Sequence, residues 1–126
     1  MATAATDLWG QLDTSDVHRT PLSIMREQAA LLGQKTGNVV EAKVVTEAQY
    51  NGYFFIAMDL VVPALDNYIY RLLKVTHPLS LYPVREDQPP FEESANEEEF
   101  VRWLGTKLSS PETRRIIVNL LSQAKS

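Results

Sequence analysis

The chain has 126 residues, 44% of them apolar, a formal net charge of −4 and no cysteine. That length suits one domain with a real core, and the lack of cysteine excludes disulfides, thiol nucleophiles and cysteine-based zinc sites. The acidic balance argues against broad nucleic-acid or anionic-membrane binding, since phosphates must be met by Lys and Arg.

Residues 1–19 are small and polar apart from Leu8, Trp9, Leu12 and Val17. They lack the basic start and apolar core of a signal peptide, and no window of the chain approaches the ~20 apolar residues of a membrane helix. The expectation is a cytoplasmic protein with a flexible arm over 1–19 and one α+β domain over 20–126. The alternative to a loosely ordered arm is that Leu8, Trp9 and Leu12 dock as one helical turn on this domain or on a partner.

Thr20 is a good N-cap and Pro21 suits a first helical position, while Leu22, Met25, Ala29 and Leu32 recur at helical spacing. A helix is expected over 21–35, with Gly37 as a left-handed stop. The period then falls to two. Val40, Ala42 and Val44 alternate with Glu41 and Lys43, and Phe54 to Val62 is apolar on both faces. Tyr68 to Val75 makes a third strand.

The turn at Asn51-Gly52 sets the register. A two-residue turn would pair Tyr50 with Tyr53 and Val44 with Asp59. A three-residue loop, Tyr50-Asn51-Gly52, with Gly52 left-handed in a bulge, pairs Val44 with Met58, Ala42 with Leu60 and Lys43 with Asp59. The second keeps apolar positions together and is the register expected. A loop over Pro63–Asn67 then sets Leu60 against Tyr70, Asp59 against Arg71 and Met58 against Leu72.

Pro78 and Pro83 limit the segment around Leu79–Val84 to an extended edge or a short fourth strand. Arg85–Ser94 reads as an acidic surface loop. Ser94 with Glu97, or Asn96 with Glu99, can cap a helix carrying Phe100, Val101, Leu104 and Leu108. Ser110-Pro111 starts a last helix with Ile116, Ile117, Leu120 and Leu121. The fold class is α+β: an antiparallel three- to four-stranded meander preceded by one helix and followed by two. That order, with the small size and acidic balance, resembles the small dimeric chaperones of bacterial secretion systems. It lacks the later strand pair found between their helices, so no residue role carries over.

No catalytic pattern emerges. His77 and His18 have no metal-ligand spacing, and Ser80 lacks a nucleophile elbow. Glu92, Glu93 and Glu97–Glu99 read as a solvated helix start, and the glycines form no phosphate loop. Lys107, Arg114 and Arg115 are too few for a DNA-reading helix beside that acidic run. No cofactor or metal is expected.

Two surfaces are singled out. Lys43, Asp59 and Arg71 form one charged row across the strands which, with His77, is the candidate anion or small-molecule site; its structural reading is cross-strand ion pairing. If all helices pack on one face of the sheet, the other carries Val45, Phe55, Ala57, Val61, Ile69, Leu73 and Val75 as an apolar patch. The functional expectation is a non-enzymatic interaction module, of chaperone, adaptor or immunity type. It would bind itself or another protein through Phe55, Ile69, Leu73, Tyr50 and Tyr53, and would engage neither nucleic acid nor membrane. On this reading Leu73→Asp breaks association and leaves a folded monomer.

Overall fold

The computed structural model describes residues 5–15 and 18–126, with backbone alone at 48 and 49. Val17 of the arm lies outside the described residues. Helix α1 spans Pro21–Lys35; Thr20 accepts from the Ser23 backbone, and Ser23 accepts in return from that of Thr20. Gly37 stops it at a φ of +60°, a conformation that costs little without a Cβ. An antiparallel sheet follows in the order β1 (Glu41–Tyr50), β2 (Tyr53–Val62), β3 (Tyr68–Pro78), β4 (Val84–Glu86) and β5 (Glu93–Ser94). Helices α2 (Glu97–Leu108) and α3 (Pro111–Ala124) close the chain. Their N-caps are Asn96 and Ser110, which accept from the backbones of Glu99 and Thr113.

The α+β order is as the sequence predicts, with five strands in place of three or four. The difference lies in 85–94, which is not a plain surface loop. Val84 and Glu86 are buried there. The Glu86 carboxylate accepts from Lys107 Nζ at 3.1 Å and from the Glu92 backbone at 3.3 Å. A buried carboxylate is tolerated when such donors reach it.

The β1–β2 register is the expected one, with Lys43 opposite Asp59 and Val44 opposite Met58. The device that produces it is different. Tyr50 pairs with Tyr53 across a two-residue turn, and Asn51 and Gly52 both have positive φ, as Asn-Gly hairpin turns require. The extra residue is absorbed in the strand, where 48 and 49 together oppose Phe54.

A second bulge corrects the register of β3. Asp59 pairs with Arg71, but Met58 pairs with Leu73, leaving Leu72 as the additional residue. Leu72 and Leu73 therefore both turn towards the helices, and every later residue of β3 changes side. Leu73 and Val75 join Ile24, Met25, Ile56, Met58, Phe100 and Leu104 in one buried cluster. Val40, Leu60 and Val62 form a second cluster with Leu120 of α3. All three helices thus cover the side of the sheet that carries Ile56, Met58 and Leu60.

Candidate functional site

The uncovered side of the sheet is the candidate contact surface. The bulge at Leu72 places Lys74 and Thr76 there, where a regular strand would have placed Leu73 and Val75. The surface is accordingly charged at its centre. The Arg71 guanidinium donates from Nε to Asp59 Oδ1 at 3.0 Å and from Nη1 to Glu47 Oε1 at 2.5 Å. Lys74 Nζ donates to Glu47 Oε2 at 2.8 Å, lies 3.7 Å from Asp87 Oδ2, and sits 5.1 Å from the centre of the Phe55 ring. Ala57 lies in register between Val45 and Lys74 and is fully buried, although no helix stands on this side. Lys74 lies beside it in register, and long charged side chains of this kind bury their stems on apolar surface.

The expected row is therefore assembled only in part. Asp59 pairs with Arg71 and not with Lys43, which faces it in register. The partners that complete the network, Glu47, Lys74 and Asp87, were not singled out from the sequence. Two of them follow from register once the bulge is known, since it brings Lys74 to the side and row next to Glu47. His77 does not belong to the set. It is buried on the helix side, stacked on Phe54 at 5.3 Å, and its Nδ1–H donates to the Pro78 carbonyl at 2.7 Å.

Charge at the centre of this face is balanced, with Lys43, Arg71 and Lys74 against Glu47, Asp59 and Asp87. Glu41, Arg85 and Glu93 at its rim add one net negative charge, so no positive field gathers an anion. The hydrogen bonds to Asp59, then to Glu47, hold the Arg71 guanidinium charged beyond its ordinary range. Lys74, then Arg71, holds the Glu47 carboxyl below its usual range. With its folded value depressed, Glu47 contributes fully above the unfolded carboxyl pKa of about 4.3, and that contribution is lost as pH falls through the lower folded value. Glu47→Gln is expected to be less stable than wild type at neutral pH and to converge with it in strong acid. Urea midpoints at the two conditions check this; a difference that persists in acid contradicts it.

At the hairpin end the surface changes character. Tyr50 and Tyr53 are exposed there, and with Phe55, Thr76, Pro83 and Arg85 they border a shallow groove of about 440 Å³. Of the residues expected to bind protein, Tyr50, Tyr53 and Phe55 are brought together. Ile69 is exposed on the same side but pairs with Val61, eight positions along β2 from Tyr53, about 27 Å away. Leu73 is on the opposite side, in the core.

Among the described residues no group of three or more His, Asp or Glu is placed to hold a metal ion, and no helix is long and apolar enough to cross a membrane. Fold and surface together define an α+β protein with a one-sided sheet and an aromatic groove at one end of its open face. The chain matches no family model, no curated protein and no solved structure.

Proposed function

We propose that this chain is a non-enzymatic protein-interaction module that uses the open side of its sheet and the tyrosine rim, in the first instance to bind a second copy of itself. A chaperone, adaptor or immunity-type role in the cytoplasm is of this kind. The carrying observation is that three helices share one side of the sheet while Tyr50, Tyr53 and Phe55 gather on the other. Large rigid aromatics are the usual anchors of protein contacts. Strand β1 adds support as a sheet edge ten residues long, free of proline, whose unpaired backbone groups can take up a further strand. The rival reading, an anion or small-molecule site at Lys43, Asp59, Arg71 and His77, is weaker because Arg71 is neutralised by two carboxylates and His77 faces the other way.

Light scattering tests the proposal. The wild-type chain is expected near twice its 14.2 kDa mass. Tyr50→Ala/Tyr53→Ala is expected to return to the single-chain mass with an unchanged circular dichroism spectrum, because both rings are exposed, and with a melting temperature that no longer depends on protein concentration. A wild-type chain that stays monomeric at every concentration, or a double variant that still dimerises, overturns the assignment.

A further inference from the structure

The helix side carries a second feature, independent of the open face. Between α1 and the α2–α3 pair lies an apolar cleft of about 340 Å³. Met58 and Leu60 floor it, and Leu31 of α1, Val101 and Leu108 of α2 and Ile117 of α3 wall it. Leu31 and Val101 are left exposed beside it. Two cations, Arg19 and Lys35, line it; Arg19 is already paired with Glu27 and lies 3.8 Å from Glu97, whereas Lys35 makes no ion pair among the described residues. They flank α1 at its start and end, so they mark the cleft's two extremities.

The arm has the complementary chemistry. Leu8, Trp9 and Leu12 are 90%, 81% and 67% exposed. Asp7 and Asp13 bracket them, and no cation lies among residues 5–15. Each carboxylate already shapes the chain locally. Asp7 accepts from the Trp9 backbone at 2.9 Å, and Asp13 from that of Ser15 at 3.0 Å. The Asp13 turn is placed to start a reversal towards α1.

The geometry points to the arm as the occupant of this cleft: residues 7–13 fold back along α1 of the same chain and lay Leu8, Trp9 and Leu12 into it. Running antiparallel to α1 brings Asp7 to Lys35, and brings Asp13 to Arg19, which it shares with Glu27 and Glu97. The lengths agree. Asp7 to Asp13 extended covers about 20 Å and Arg19 to Lys35 along the helix about 24 Å, a difference within the reach of the Arg and Lys stems. Six residues lie between Leu12 and Arg19, and their seven steps reach about 23 Å at full extension. Burial of three side chains stabilises the closed form to the same order as ordering the arm costs, so closed and open arms interconvert.

Trp9 and Trp103 are the two tryptophans, so Trp103→Phe leaves Trp9 as the single indole reporter in the full-length chain. Its emission is expected to be blue-shifted and its acrylamide quenching about twofold weaker than in a peptide of residues 5–15, as an arm closed about half the time gives. Two changes should each restore peptide-like values: Leu8→Ser/Leu12→Ser in the arm, which cannot disturb the core, and Leu31→Asp/Val101→Asp at the cleft rim, with circular dichroism confirming the fold. Peptide-like quenching in the Trp103→Phe parent overturns the proposal, as does shielding that survives the arm variant. Shielding that disappears on dilution overturns the same-chain assignment in favour of a second copy. The readout is independent of dimerisation through the open face, since Tyr50→Ala/Tyr53→Ala leaves the arm and cleft intact.

Discussion

Leu73→Asp is expected to unfold the protein. Leu73 is 5% exposed and packs in the cluster formed by α1, α2 and the sheet. Truncating a leucine in such a place costs about 2–5 kcal/mol, and an unpaired carboxylate buried there adds several more. The sum is comparable with the about 5–15 kcal/mol that holds a domain of this size together. Ile69→Asp, four residues earlier but on the open side and 60% exposed, is expected to change stability by no more than about 0.5 kcal/mol. Circular dichroism and urea unfolding separate the two. A folded Leu73→Asp monomer would mean that β3 lacks its bulge and that Leu73 faces solvent.

Arg71→Ala has the second largest expected effect, because it strands Asp59. That carboxylate is 8% exposed and accepts from Arg71 Nε, with Nη2 at 3.5 Å from its second oxygen. Losing the partner of a fully buried pair costs 3–5 kcal/mol as an order of magnitude. The guanidinium itself is 44% exposed, so water screens part of the interaction and a loss of about 1–3 kcal/mol is expected. Asp59→Leu/Arg71→Leu removes both charges and is expected to lie within about 1 kcal/mol of wild type. A double-mutant cycle in urea therefore should show strong non-additivity. Additive single effects would place Asp59 with another cation, Lys43 being the nearest in register.

The helices were legible in the sequence because their caps are local. Thr20-Pro21, Asn96 with Glu99 and Ser110-Pro111 each satisfy backbone donors from within a few residues. The β1–β2 register was legible from apolar coincidence, since the slip that a regular two-residue hairpin imposes sets Val44 against Asp59. How the chain achieves it was not, because a bulge before a tight turn and a wider loop give the same register. Strand β3 shows the sharper limit. Its pattern of Tyr68, Tyr70, Leu72, then Leu73, Val75 and His77 slips by one at the paired leucines, which is the mark of a bulge. A strictly alternating reading instead sends Leu73 and Val75 to the open face and makes that face greasy. The observed surface is a balanced ionic lattice, and its aromatic part is confined to the hairpin end. Strands β4 and β5 were hidden for a different reason. They are only three and two residues long and lie among prolines and acids, so no periodicity can mark them.

The register of β3 decides which residues a partner meets, and thiol labelling reads it directly in a chain with no cysteine of its own. Single cysteines are placed at Leu73, Lys74 and Val75 in the Tyr50→Ala/Tyr53→Ala background, and their maleimide reactivity is measured under native conditions. The account predicts labelling at 74, whose side chain is partly exposed on the open face, and at 73 and 75 only on unfolding. Labelling of the native protein at 73 and 75 with protection at 74 would contradict it.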